Sequence, residues 1–254
     1  MNLLKKSLNR IILLTLLCGI TACSNDDNSN TTTDTNTNSV PSTSANKIMP
    51  LGASRVAGAR PEYESYRYDL WKLLIDHGYD FDFIGTETDN ATYPDFNGLR
   101  FDTDHEGRGG ITSSGILAEI DVWLRDLGTI PDIVLFSSPG GNDGIDDYAR
   151  TISNINAIID AIQAVNPNVT IFLELPAPPL SNEQTQEFLD FYNRALQDIP
   201  MLAQQQTTST SNVLTVDMMT GFNDSFLADD VHYNLAGAAF IANRYYDVLI
   251  NILE

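Results

Sequence analysis

The chain has 254 residues, 43% of them hydrophobic, enough for one large or two small domains with a buried core. Fourteen Lys and Arg stand against 34 Asp and Glu, and the resulting charge of −20 argues against nucleic acid and anionic lipid as partners, since both need a basic footprint. Two Cys exclude a disulfide scaffold and a Cys-based zinc cluster, and three His leave few candidates for any chemistry that needs an imidazole.

In chain order, residues 1 to 23 open with Lys5, Lys6 and Arg10, continue through an apolar run to Ile20, and end in Thr21-Ala22-Cys23. A basic start, a short apolar stretch and small residues read as a secretory leader over 1–22, too short to stay in a bilayer as a spanning helix. Ile20-Thr21-Ala22-Cys23 resembles the bacterial lipobox, in which the Cys becomes the lipidated first residue of the mature protein. Cys23 is therefore the expected lipidation site. The domain is expected to be exported and held on the cell envelope by acyl chains, at the outer membrane or cell surface if the cell is Gram-negative. Losing the leader removes three cations and no anion, which takes the net charge from −20 to −23. Residues 24 to 46 are Ser, Thr, Asn or Asp at 20 of 23 positions and are expected to form a disordered spacer behind the lipidated Cys.

From residue 47 to 254 short apolar runs alternate with longer amphipathic ones. Strands are predicted over Lys47–Leu51, Phe81–Ile84, Asp132–Phe136, Val169–Leu175 and Val213–Val216, and helices over Glu62–Asp76, Thr112–Leu127, 147–165, 182–205 and 234–253. Strands alternating with helices imply one parallel, five-stranded sheet in a three-layer α/β domain. Ligands of such sheets bind beyond the carboxyl ends of the strands, so chemistry is sought in the loops there. One of these, 86 to 111, exceeds the usual loop length, which points to function or disorder.

His77 ends an amphipathic helix before Gly78, where a cationic ring complements the helix dipole. His105 lies in the long loop, as a surface or substrate-contacting residue. His232 follows Asp229 by three, so one short segment can hold an imidazole and a carboxylate that fixes its tautomer. No Gly-x-Ser-x-Gly elbow occurs. Ser54, in Gly52-Ala53-Ser54, lies just past the first strand, where it could present a hydroxyl at the sheet rim or cap a short helix. Asp102-x-Asp104-x-Glu106-Gly107 hints at a calcium loop, but Ser113 stands where the bidentate Glu is needed, so no metal site is expected.

Four loops in order carry a resemblance. Ile48-Met-Pro-Leu-Gly-Ala-Ser54, His105-Glu-Gly-Arg-Gly-Gly110, Gly140-Gly-Asn-Asp143 and Asp229-Asp-Val-His232 resemble the four blocks of the SGNH (GDSL-type) hydrolases, over nearly all of 47–254. The resemblance implies a three-layer α/β/α, flavodoxin-like domain. It implies Ser54 as nucleophile, His232 as base and Asp229 as its orienting carboxylate, with Asp230 a substitute for Asp229. It also implies an oxyanion hole from the Ser54 and Gly110 amides and the Asn142 side chain, with no cofactor. The family usually has Asp where this chain has Ala53 and an aliphatic residue where it has Arg55. Arg55 is expected either to contact substrate or to pair with a carboxylate.

Met49-Pro-Leu-Gly, Trp71-Lys-Leu-Leu and Phe81-Asp-Phe-Ile-Gly85 look most like the branch of acetylxylan and related carbohydrate esterases. That resemblance implies hydrolysis of O-acyl esters on carbohydrate, O-acetyl foremost, by a serine esterase through an acyl-enzyme. Arg55, Arg108 and Tyr148 are the expected substrate contacts. Tyr93, Phe96 and Phe101 in the long loop are expected either to stack on sugar or to tuck inward. The alternatives are a lipase- or thioesterase-type enzyme of the same family, or a catalytically silent glycan-binding surface lipoprotein.

Overall fold

A computed structural model describes residues 43–138 and 142–253. The leader, Cys23, the spacer as far as residue 42, and Gly140-Gly141 of the third block lie outside the described residues. All five predicted strands form: β1 (Lys47–Gly52), β2 (Asp82–Phe83), β5 (Ile133–Ser137), β6 (Thr170–Leu175) and β7 (Asn212–Asp217). Two further strands, β3 (Glu87–Thr88) and β4 (Asp104–Gly107), lie inside the long 86–111 segment, so the sheet has seven strands rather than five. Its order is β3-β4-β1-β5-β6-β7, with β2 also on β1. Every pairing is parallel except β3 with β4, which is antiparallel.

The extra strands explain a proline in the central strand. β2 pairs with the start of β1 at Lys47 and Ile48, and β4 with its end at Leu51 and Gly52. The Ile48 and Gly52 carbonyls accept from Ile84 and Arg108 on that side, so alternation aims the Pro50 nitrogen the same way. It falls in the break between β2 and β4, where no ladder hydrogen bond is lost by lacking an N–H.

Period-two alternation sorts the strand side chains onto two covered faces. Met49, Leu51, Val134, Phe136, Ile171, Leu173 and Val213 pack under α3 (Ser113–Asp126), α4 (Tyr148–Val165) and α5 (Gln186–Gln206). Ile48, Ile133, Leu135, Phe172 and Val216 pack against α2 (Arg67–Asp76) and α6 (Leu235–Leu249). These are the three layers of an α/β/α sandwich. Among the described residues no helix is long and apolar enough to cross a membrane.

Helix α2 begins five residues later than the periodicity suggests. Residues 59–64 instead make a turn, with bridges from Ala59 to Tyr63 and from Glu64 to Tyr233. That turn spends Tyr63 and Glu64 on the segment that carries His232. Thr112 caps α3 through its side-chain oxygen, and Thr185 and Asn234 cap α5 and α6 in the same manner.

Candidate active site

β1 leads into a single helical turn, α1 (Ser54–Ala57), whose N-cap is Ala53. Ser54 does not cap this turn. Its Oγ lies 2.8 Å from His232 Nε2. On the far side of the ring, Nδ1 lies 2.8 Å from Asp229 Oδ2. The second carboxylate oxygen, Oδ1, accepts from the Val231 and His232 amides at 2.9 and 2.7 Å, so the Asp-x-x-His segment is folded around its own carboxylate. Burial opposes the Asp229 charge, but those two amides and the imidazole hold its carboxyl below the usual range. The Asp229 side chain is 50% exposed, so the pair is solvent-screened and matters for the ring's orientation rather than for stability. Asp230 instead gives its carbonyl to the Leu180 amide.

A third contact on the ring had no local signal in the sequence. Tyr63 stacks face to face on His232, with centroids 3.8 Å apart and planes 11° from parallel. Burial first, then the nearby Asp229 charge, pushes its phenol pKa up, which keeps the stacked ring neutral.

Ser54 and His232 open into a cavity of about 360 Å³. Asn142 and Asp143 stand on its rim, and Pro176, Ala177, Phe188, Phe191 and Tyr192 form its apolar wall. Asp143 also accepts from the Ser113 amide and hydroxyl at 2.8 and 2.6 Å, which ties the third-block loop to the start of α3. Beneath the cavity the buried Glu174 accepts from Ser137 Oγ and Tyr245 Oη, both at 2.6 Å, and burial pushes its carboxyl pKa up. An acid inside the apolar run Ile171–Leu175 is the signal that could have found it.

Gly110 is exposed, with φ +76°, in a turn closed by Ile111 N–H donating to Arg108 carbonyl. It is not among the residues that wall the cavity. Two expected substrate contacts are engaged by the protein itself. Arg108 is paired with Glu106 and Glu87, donates to Thr86 Oγ1, and lies 3.7 Å over the Trp123 ring. Tyr148 is buried, donates to Asp198 at 2.7 Å and carries Arg194 on its face. Arg55 does border the cavity, but its guanidinium donates to three backbone carbonyls.

The remaining loop residues also turn inward. Tyr93 and Phe101 pack with Tyr68, and Phe96 and Phe101 with Trp71. His105 is buried rather than on the surface, and its Nδ1 accepts from the Gly107 amide at 3.0 Å. Asp102 is spent on the Phe83 and Asp104 amides and Glu106 on Thr86 and Arg108, so these two acids already have partners. His77 sits at the end of α2, with Nδ1 2.8 Å from the Leu73 carbonyl, as a capping residue would.

No protein-family model and no curated protein matches the sequence. Solved structures do. A carbohydrate esterase family 3 from Talaromyces cellulolyticus is 30% identical, over 82% of this chain and 97% of its own, with a TM-score of 0.68. A family 3 carbohydrate esterase of Clostridium thermocellum is 30% identical over 81% and 96%, with a TM-score of 0.63. A mutant acetyl esterase solved with an acetate ion is 28% identical over 82% and 97%, with a TM-score of 0.66. Likeness at this level over almost the whole of those chains, on top of the four ordered blocks, makes the chain a carboxylic ester hydrolase that belongs to the SGNH (GDSL-type) hydrolase family, in its acetylxylan esterase-like branch.

Proposed function

We propose that this protein is a serine esterase that removes O-acyl groups, O-acetyl foremost, from carbohydrate. The observation that carries this reading is the relay Ser54 Oγ, His232 Nε2, His232 Nδ1, Asp229 Oδ2, with both contacts at 2.8 Å. Likeness to two carbohydrate esterases and an acetyl esterase supports the choice of acyl carbohydrate.

In this reading Nε2 takes the hydroxyl proton as Ser54 Oγ bonds to the ester carbonyl carbon. The tetrahedral oxyanion is met by the Ser54 amide, which as the first amide of α1 has no intrahelical acceptor, and by the Asn142 side chain, which borders the same cavity. Its collapse breaks the bond to the sugar oxygen, which leaves with the proton from Nε2. Water then attacks acyl-Ser54 by the same route, the carboxylic acid departs, and Ser54 regains its proton. Each oxyanion donor is worth roughly 3 to 4 kcal/mol of barrier. Every step is met by groups of the chain itself, without a cofactor. Cys23 and the preceding leader further suggest that the enzyme works outside the cytoplasm on a lipid tether.

The test is acetate release from acetylated xylo-oligosaccharides and p-nitrophenyl acetate by the wild type and Ser54→Ala. The expected result is turnover by the wild type and a loss of at least about 10³-fold in kcat for the variant. A Ser54→Ala protein that keeps its rate removes the proposal. The apolar wall of Phe188, Phe191 and Tyr192 favours a second reading, with longer acyl esters or thioesters as substrates. Running the same assay from acetyl to dodecanoyl esters decides between them, because a maximum at long chains displaces the acetyl reading.

A further inference from the structure

Arg55 follows Ser54 directly, yet its side chain reaches away from α1 to two other strand-end loops. Nε donates to the Val231 carbonyl at 2.7 Å, and the terminal nitrogens donate to Ala177 at 2.7 Å and Pro178 at 3.4 Å. The guanidinium carbon also stands 4.8 Å from the centroid of the Tyr233 ring. Val231 and Tyr233 are the chain neighbours of His232. One side chain, rooted on the turn that carries the hydroxyl, thus grips the residues on both sides of the imidazole.

The need for such a grip follows from the chain. The Asp229 turn fixes His232 relative to its own segment, but Ser54 and His232 are 178 residues apart. Their separation depends on ties between loops. Two are backbone bonds, from Glu64 N–H to Tyr233 carbonyl and from Leu180 N–H to Asp230 carbonyl, both 2.8 Å. Neither starts on α1. A fork with several N–H donors can satisfy convergent carbonyls that an ammonium cannot serve together.

We propose that Arg55 is a positioning residue: its guanidinium clamps the Val231–Tyr233 segment and the Ala177–Pro178 loop to α1, keeping His232 Nε2 within reach of Ser54 Oγ, and it does not bind the substrate. This rests on the Ser54–His232–Asp229 reading. Displacing a catalytic group by about 1 Å costs on the order of 10²-fold. Arg55→Met, which keeps the apolar stem, is therefore expected to lower kcat about 100-fold with KM within about threefold. Arg55→Lys should retain roughly tenfold more activity than Arg55→Met, because it still serves one carbonyl. In Arg55→Ala, methylguanidinium should restore part of kcat and methylammonium should not.

A KM increase at unchanged kcat assigns Arg55 to substrate binding and overturns the proposal, as does an unchanged kcat. If Arg55→Met fails to fold, Arg55→Lys and the two added cations decide the same question. Ser54→Ala is measured alongside. Retained activity there brings down the triad reading, whereas an inactive Ser54→Ala beside a fully active Arg55→Met brings down the clamp alone.

Discussion

His105 is 4% exposed, and its ring has a fixed duty as acceptor for the Gly107 amide. Burial, then the Arg67 charge, brings its pKa down to about 3, against about 6.5 in an unfolded chain. A proton that binds the unfolded chain more readily than the fold means stability is fully present above pH 6.5 and is lost as pH falls towards 3. The loss amounts to roughly 2 kcal/mol at pH 5. Asp102 acts in the opposite sense. Burial pushes its carboxyl up to about 7, so it contributes stability below about pH 4 that is lost as pH rises through 7. The difference between the wild type and His105→Asn therefore isolates the histidine, since the Asn oxygen can still accept from the Gly107 amide. Denaturant unfolding should give a constant difference between pH 7 and 8, shifting by about 2 kcal/mol against the wild type by pH 5. A difference that stays flat down to pH 5 refutes the assignment.

Among the elements, the contact between β4 and α1 sets where the nucleophile stands. A Cβ on Gly107 would come within 2.6 Å of the Ala57 nitrogen and 2.8 Å of Val56 Cγ1, so only glycine lets the two backbones approach this closely. Gly107→Ala must push α1, and Ser54 with it, off the strand. The expected cost is about 1 to 3 kcal/mol of stability, together with a drop in kcat larger than the drop in folded protein. Thermal unfolding and active-site titration with a serine-directed phosphonate measure the two, and wild-type kcat would show that α1 does not depend on this contact. The same contact marks the limit of what could be read from the sequence. Strands such as Ile133–Ser137 and Thr170–Leu175 are covered on both faces and stand out as apolar runs. β4, Asp104-His-Glu-Gly107, has polar residues turned inward to satisfy Thr86 and Arg108, so no pattern betrays it. The relay was legible because its residues sit in short blocks at strand ends. The partners of Arg55 and Tyr148 were not, because Val231 is 176 residues from Arg55 and Asp198 is 50 from Tyr148.

On the scale of the whole molecule, the route of the chain would keep the proposed tether apart from the cleft. The domain enters its sheet at Lys47, the amino end of central β1, and Ser54 stands beyond the carboxyl end of the same strand. Six residues at about 3.3 Å each put roughly 20 Å of strand between the entry point and the cleft. A tether at Cys23 would therefore pull on the end of the domain opposite the active site, through a segment of 20 polar residues in 23. Without residues 1–22 the chain would carry a charge of −23 and find no electrostatic attraction to an anionic bilayer, so acyl chains would have to supply the whole attachment, and stable anchoring takes more than one. Cys23→Ala is the discriminating variant. Expressed in a bacterium fed a labelled fatty acid, the full-length wild type should carry the label and sediment with membranes, and Cys23→Ala should do neither. Because the substitution is remote from Ser54, kcat/KM on a soluble ester should agree within about twofold between the detergent-extracted wild type and the variant. Label retained by Cys23→Ala, or a wild type that takes none and stays in the soluble fraction, rules out the tether.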